Sequence, residues 1–157
     1  MDGKAAEKLL RPDRYQVFLM IGRSQVLFAP HPWFVVNKKG IVSRWAIGLR
    51  TMRRNPRWGY INKDALPPFA GVPILWPIWK STLVGYVEGG EGSLAARMIE
   101  RIEGSYESYP YRDRYTLTGP NSNTYVQWLL DQFPESGLKL PWNAFGKGYR
   151  RFGAPVT

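Results

Sequence analysis

The stretch HPWFVVNKKGIVSRWAI, residues 31–47, holds two apolar arms separated by a short polar segment. The pattern predicts one β-strand at Trp33–Val36 and a returning strand at Ile41–Ile47. Residues 37–40 (Asn-Lys-Lys-Gly) are polar and end in glycine, a composition typical of the turn of a β-hairpin. We therefore expect an antiparallel hairpin in which Val36 pairs with Ile41.

This register has consequences for the side chains on the two arms. It places Ala46 opposite His31 and Arg44 opposite Trp33. Because side chains alternate between the faces of a strand, all four should lie on one face of the sheet. His31 stands between two prolines, which hold its backbone extended. It is the only histidine in the chain and so the only imidazole available for acid–base chemistry.

Further elements are predicted on both sides of the hairpin. Apolar, aromatic-rich runs at Tyr15–Ile21 and Thr82–Val87 predict two more strands. Helical spacing predicts a helix that starts after a Ser93 cap and a second helix that starts at Ser122 and ends before Pro134. The apolar residues that define these two helices are Leu94, Met98, Ile99, Ile102 and Tyr106 in the first, and Val126, Leu129, Leu130 and Phe133 in the second.

These elements predict an α+β fold, with a small antiparallel sheet packed against two or three helices. A chain of 157 residues fits one domain with a sizeable core. Residues 1–14 are polar and mixed in charge, so we expect a flexible N-terminal lead-in followed by a single globular domain over residues 15–157. In the tail after Gly137, we expect Pro141, Trp142 and Phe145 to pack on the domain.

The composition excludes several kinds of site. The chain has no cysteine, which rules out disulfides, thiolate metal sites and a cysteine nucleophile. With one histidine, a multi-histidine metal site is excluded as well. The sequence shows no glycine-rich phosphate loop and no dinucleotide fingerprint, so we expect no cofactor and no metal.

The net charge of +10 arises within the first 63 residues, because the rest of the chain carries equal numbers of acidic and basic residues. Arg50, Arg53, Arg54 and Arg57 crowd one short stretch. It is either a solvated loop or a patch for an anionic membrane surface or nucleic acid phosphates. The sequence disfavours nucleic acid, since no zinc-finger, RNA-binding or helix-turn-helix pattern accompanies the arginines.

Leu66–Trp79 is strongly apolar but contains four prolines, which exclude a continuous helix. It is either a loop packed over the core or an interfacial loop that places Trp76 and Trp79 in lipid. No signal peptide is visible, so a cytoplasmic or membrane-peripheral location is compatible with the sequence.

The second half of the chain carries three motifs in a fixed order: YPYRDRY (109–115), GPNSNTYVQWLL (119–130) and LPWNAFGKGY (140–149). With these motifs the chain resembles an uncharacterised bacterial family, domain of unknown function 3750. HPW at 31–33 and SRWAI at 43–47 resemble the N-terminal half of the family more loosely. The resemblance covers most of the chain, whereas residues 50–80 depart from it.

More remotely, the layout is similar to circularly permuted papain-like proteins, the group of NlpC-type peptidases and lecithin retinol acyltransferase. In that group a histidine followed by an aromatic residue lies on an early strand, and a nucleophilic cysteine opens a later helix. His31-Pro32-Trp33 matches the first feature and Ser122 the second, with serine in place of cysteine. The resemblance implies a permuted papain-like fold and a hydrolase or acyltransferase that acts on an amide or ester.

A serine nucleophile has specific requirements. A helix N-terminus cannot ionise a hydroxyl, so Ser122 needs His31 as a general base within hydrogen-bond reach. A third group should orient the ring, but the predicted register offers only Arg44 and Ala46 beside it. Asn37 or Asn121 could take that role instead.

The surroundings of Ser122 are assigned by the same reasoning. The backbone N–H groups of Asn123 and Thr124 could stabilise an oxyanion, and Asn121 and Trp33 are expected to border the substrate. Each assignment has a structural alternative: Ser122 as a helix N-cap, His31 as a half-buried hydrogen-bonded side chain, and Trp33 as a core aromatic.

Two functions therefore follow from the sequence. One is a hydrolase or acyltransferase whose substrate is a small molecule, a peptide or a lipid. The other is a non-catalytic binding or membrane-surface module that uses the basic, tryptophan-rich residues 50–80.

Overall fold

A computed structural model describes residues 1–23, 30–48, 56–72 and 80–149. The strands are β1 (Tyr15–Arg23), β2 (Pro30–Lys38), β3 (Ile41–Ile47), β4 (Ile61–Lys63) and β5 (Ser81–Gly89). The helices are α1 (Gly3–Glu7), α2 (Leu94–Glu103), α3 (Ser105–Ser108) and α4 (Ser122–Asp131), and a 3-10 turn covers Pro134–Ser136. The strands form one antiparallel sheet in the order β4-β3-β2-β1-β5, which confirms the α+β class.

The two faces of the sheet bury different sets of side chains because residues alternate along each strand. One face, which includes Leu19 and Phe34, packs against Met98 of α2 and Leu129 of α4. The opposite face is covered by α1 and by the loop that carries Phe69. The buried apolar side chains of this second cluster are Ala6, Phe18, Met20, Trp33, Val35, Ala46 and Phe69.

The hairpin register differs from the prediction by two residues. Lys38 pairs with Ile41, and Arg44 therefore lies opposite Val35 rather than Trp33. The turn contains only Lys39 and Gly40, which both have positive φ angles, 50° and 95°. Such a two-residue turn follows the natural twist of a hairpin. Because the shift is an even number of residues, it leaves the predicted set of His31, Trp33, Arg44 and Ala46 on one face of the sheet.

Two short elements were not predicted. The expected lead-in contains α1, which is capped by the Asp2 side chain and buries Ala6. Residues 50–65 look irregular in sequence, yet β4 pairs with the edge of β3 through Ile47 and Ile61. Both elements are shorter than the stretch of sequence over which a helical or strand pattern can be recognised.

The described part of the proline-rich segment is a packed loop. Phe69 contacts Phe18 edge to face at 5.4 Å, and Val72 is buried. Trp76 and Trp79 lie outside the described residues. In the part of the chain that the structure describes, every helix is too short or too polar to cross a membrane.

The C-terminal tail packs through residues other than those expected. Trp142 is 85% exposed and Phe145 is 58% exposed, so their predicted packing on the domain is wrong. Leu140 and Ala144 are buried instead. Leu140 and Ala144 therefore help to hold the tail, whereas the side chains of Trp142 and Phe145 face outward.

Candidate functional site

The start of α4 is fixed by Asn121, the N-cap residue. Its Oδ1 accepts hydrogen bonds from the backbone N–H groups of Asn123 (3.0 Å) and Thr124 (3.2 Å). Thr124 Oγ1 in turn accepts a hydrogen bond from the backbone N–H of Asn121 at 3.0 Å, which completes a capping box. Ser122 is therefore the first helical residue, and the structural alternative that made it the N-cap is wrong.

Asn121 also joins this helix start to the C-terminal tail. Its Nδ2 donates to the carbonyl oxygens of Leu117 (3.2 Å) and Phe145 (3.0 Å). Thr124 Oγ1 donates to the Gly146 carbonyl at 2.7 Å. A Cβ on Gly146 would lie 2.4 Å from Asn121 Nδ2, so glycine is needed where the tail passes this side chain.

The capping box changes which backbone groups are available beside Ser122. The N–H groups of Asn123 and Thr124, expected to bind an oxyanion, both donate to Asn121. Tyr125 N–H donates to the Asn121 carbonyl. In the described residues this leaves the N–H of Ser122 as the first-turn donor without a partner.

Ser122 and His31 meet, although they are 91 positions apart in sequence. Ser122 Oγ lies 3.2 Å from His31 Nδ1, and the contact is buried. His31 is close to the start of β2, and Asn123 Nδ2 donates to the carbonyl of the preceding Pro30 at 3.4 Å. The N-terminus of α4 is thus tied to the strand end that carries the imidazole.

Burial sets the charge of the imidazole. His31 is only 5% exposed, and desolvation, with a further contribution from the Arg44 cation, lowers its pKa to about 4. The ring is therefore neutral at pH 7. A neutral ring with Nδ1 as acceptor can take the proton of the Ser122 hydroxyl, which is the requirement for a general base.

Arg44 lies beside this pair without a hydrogen bond to either member. Its guanidinium lies over the Trp33 ring at 3.9 Å, and Nη1 donates to the carbonyls of Pro67 (2.8 Å) and Ala70 (2.6 Å). Burial lowers the pKa of Arg44 to about 10, so it is a cation at neutral pH. A cation cannot accept a hydrogen bond from the imidazole, so Arg44 does not orient the ring in that way.

Trp33 occupies the position expected of a core aromatic residue. It is fully buried, and its Nε1 donates to the Pro68 carbonyl at 2.8 Å. Its ring centroid lies 6.1 Å from that of His31. Trp33 therefore supports the loop of residues 67–70 and one side of the imidazole.

The two asparagines that could orient His31 are engaged elsewhere. Asn37 Nδ2 donates to the Arg11 carbonyl and to Gln16 Oε1, and its Oδ1 accepts from the Gly40 N–H. Asn121 serves the helix cap. Among the described residues, Ser122 is the only hydrogen-bond partner of the His31 ring.

A small cavity of about 30 Å³ adjoins His31. His31 and Arg44 both line this cavity. Its wall also includes Ala46, Asn62 and Leu66. The cavity was not predicted from the sequence, because β4 and the loop after it carry no signal beyond scattered apolar residues. Among the described residues, no group of three or more potential metal ligands occurs.

Of the basic patch, the structure describes Arg57. This residue is exposed, and its guanidinium lies 5.6 Å from the centroid of the Tyr106 ring. Arg50, Arg53 and Arg54 lie outside the described residues. The predicted anionic-surface site stays a prediction.

Comparison with known proteins gives one family. The family model described as "Protein of unknown function (DUF3750)" matches residues 15–149. Neither the curated proteins nor the solved structures contain a match. The matched range spans the whole sheet, both long helices and the tail that closes on Asn121, and the chain belongs to the domain of unknown function 3750 family.

Proposed function

We propose that this protein is a serine-dependent hydrolase or acyltransferase that acts on an amide or ester. Ser122 is the nucleophile and His31 the general base. The observation that carries the proposal is the 3.2 Å contact between Ser122 Oγ and His31 Nδ1. Catalytic nucleophile–base pairs are recognised by this distance and by the identity of the two groups.

The reaction proceeds in two steps. In the first, Ser122 Oγ attacks the substrate carbonyl carbon while its proton moves to His31 Nδ1. The bond to the leaving amine or alcohol then breaks, and the leaving group takes the proton from the imidazolium. In the second step, water or an acceptor hydroxyl or amine attacks the acyl-serine and loses its proton to His31. The bond between the acyl carbon and Ser122 Oγ then breaks, the acyl product leaves, and the imidazolium returns the proton to Ser122 Oγ.

The helix cap supports this role because it releases the nucleophile. Asn121 satisfies the backbone N–H groups of Asn123 and Thr124, so within the described part of the chain the Ser122 hydroxyl has no competing backbone partner. The N–H of Ser122 itself is the donor that we assign to the oxyanion. This replaces the assignment to Asn123 and Thr124.

The remote similarity to permuted papain-like proteins is compatible with this assignment of roles. It remains a prediction from the sequence, as does the substrate class within amides and esters. The membrane-surface alternative also remains a prediction, since among the described residues no observation favours it. Arg57, its one described arginine, contacts the protein's own Tyr106.

Covalent labelling tests the proposal directly. A small serine-directed sulfonyl fluoride should label the wild-type chain at Ser122, as read by intact mass and peptide mapping. Ser122→Ala and His31→Ala should abolish the labelling. The labelling rate should rise with pH through the His31 pKa of about 4 and level off above it, because the neutral imidazole is the active form.

Ser93→Ala is the matched control. It removes the half-buried hydroxyl that caps the other long helix and should leave the labelling of Ser122 unchanged. Labelling that persists in Ser122→Ala, or that is absent from the folded wild type, would overturn the proposal. If the wild type then bound anionic vesicles in a salt-sensitive way, the membrane-surface alternative would replace it.

A further inference from the structure

Arg44 is a buried cation, and no acidic partner for it occurs in the ranges that the structure describes. The residue is 3% exposed. Its guanidinium donates hydrogen bonds to two neutral carbonyls, those of Pro67 and Ala70. Asp64 is near, but its Oδ1 accepts from the Arg44 backbone N–H and not from the guanidinium. Among the described residues no carboxylate forms an ion pair with Arg44, although buried charges are usually paired.

His31 lines the same cavity as Arg44. When Nδ1 accepts the Ser122 hydroxyl, the proton of the neutral ring resides on Nε2. In the described part of the chain Nε2–H has no acceptor. His31 and Arg44 line the cavity and Ser122 does not, so His31 is the residue that connects the serine with the cavity.

The cavity has the size of a small polar group. Its volume of about 30 Å³ accommodates roughly two water-sized groups, the size of a carboxylate and too small for a phosphate with its substituents. Of the described residues that line it, only His31, Arg44 and Asn62 are polar, and the others include the apolar Ala46, Leu66 and Val72. A low-dielectric wall strengthens the attraction between a bound anion and the guanidinium.

We propose that this cavity binds a carboxylate, which pairs with Arg44 and accepts the hydrogen bond of His31 Nε2–H. The inference rests on the proposed function, and it supplies the third group that the described residues do not provide. In a Ser-His-Asp triad, an aspartate holds the ring in the correct tautomer and stabilises the imidazolium. Here a carboxylate from outside the chain takes that position.

The carboxylate has two sources, a substrate that carries it near the scissile bond or a free small acid. In both cases Arg44 acts as a positioning residue, since it holds the anion that orients His31. The two sources predict opposite effects of added formate on turnover. Formate should accelerate cleavage of neutral esters if the acid is free, and should compete with the substrate if the substrate supplies the carboxylate.

The single histidine makes the site directly observable. In the full-length protein labelled with 15N, the two ring nitrogens of His31 give one isolated set of NMR signals. Formate should shift the Nε2 signal in a saturable way and raise the proton affinity of His31 about tenfold or more. Chloride at equal ionic strength should produce neither effect, although Arg44 carries the same charge in both solutions.

Two variants separate binding from folding. Arg44→Gln removes the cation and should abolish the formate effect. Because Arg44 also holds the loop at Pro67 and Ala70, this variant could fail to fold. Ala46→Val fills the cavity and keeps Arg44, and it should also abolish the effect while the protein remains folded.

The outcomes distinguish this inference from the proposed function. A formate effect no larger than that of chloride, or one that survives in folded Ala46→Val, would overturn the carboxylate site even if Ser122 is labelled. A formate effect with no labelling of Ser122 would keep the anion site and reject the catalytic proposal.

Discussion

The two long helices begin with the same residue type in different roles. Ser93 precedes α2, and its Oγ accepts a hydrogen bond from the Ala96 N–H at 3.3 Å. Ser122 is the first residue of α4, and its Oγ contacts His31 Nδ1 at 3.2 Å. The first hydroxyl satisfies the backbone of its own helix, whereas the second faces a side chain on the sheet.

The difference arises from the residue that precedes the serine. Gly92 precedes Ser93 and has no side chain to offer, so Ser93 must cap α2. Asn121 precedes Ser122 and provides the carboxamide oxygen that caps α4. Shifting the cap by one residue places the serine inside the first turn, with its hydroxyl released from the backbone. At the Asn-Ser start of α4 the serine hydroxyl can thus contact a side chain outside the helix, whereas at the Gly-Ser start of α2 the cap occupies it.

The largest stability effect is expected at Asn121. Asn121→Ala removes the acceptor for two backbone N–H groups and the donor to two carbonyls, all within a buried site. Loss of the cap together with buried unsatisfied groups should lower the free energy of unfolding by about 3 kcal/mol. The shift in the urea midpoint at constant m-value measures it.

Asn121→Asp is the matched variant for this site. It keeps the Oδ1 acceptor at the helix N-terminus but puts a second carboxylate oxygen, which cannot donate, against the carbonyls of Leu117 and Phe145. Any loss that remains in this variant therefore reports the Nδ2 contacts and not the cap. If Asn121→Ala cost no more than Ser93→Ala, the cap of α4 would not depend on the asparagine, and the contrast between the two helices would disappear.

The next effect concerns pH. Burial lowers the pKa of His31 from its ordinary value of 6.5 to about 4 in the folded protein, so between these values the unfolded chain binds more protons. The stability gained from the neutral ring is complete above pH 6.5 and is lost as the pH falls toward 4. The loss between pH 7 and pH 5 should be about 2 kcal/mol.

Urea unfolding at the two pH values measures this loss in the wild type and in His31→Gln, which has no titrating ring. The variant should show a dependence smaller by the His31 contribution. Ser93→Ala should retain the full wild-type dependence, because that serine has no link to the imidazole. Equal slopes in wild type and His31→Gln would show that His31 is not desolvated in the folded state.

The sheet face that carries the site could be read from the sequence because alternation survives an even shift in register. The arms of the hairpin were predicted, but the turn was placed over four residues instead of two. Lys39 adopts a positive φ angle of 50°, which propensity disfavours for lysine. The energy of pairing along the two strands outweighs that local preference. The apolar pattern of a single strand does not reveal this pairing energy, so the register could not be read from it.

The pairing of Ser122 with His31 was predicted only through the remote similarity to permuted papain-like proteins. Spacing along the chain does not encode a contact across 91 positions, because the contact depends on how α4 crosses the sheet. Asn121 was predicted to border the substrate and was not identified as the N-cap of α4. Asparagine and serine are both good N-caps, so residue type alone did not decide between Asn121 and Ser122. The threonine three residues after Asn121 completes the capping box and was the signal that could have separated them.

The smallest effect is expected at Ser93, and it completes the comparison. Ser93→Ala removes one partly exposed cap and should lower the free energy of unfolding by about 1 kcal/mol. Ser93→Asn should restore most of it, because asparagine caps a helix as well as serine does. At position 122 the same serine-to-asparagine exchange should instead lose serine labelling, because a carboxamide cannot replace a nucleophilic hydroxyl beside His31. Urea midpoints and labelling in these three variants therefore test whether position or residue type decides the role of each serine. If asparagine could replace serine without loss at both positions, the two serines would be equivalent caps.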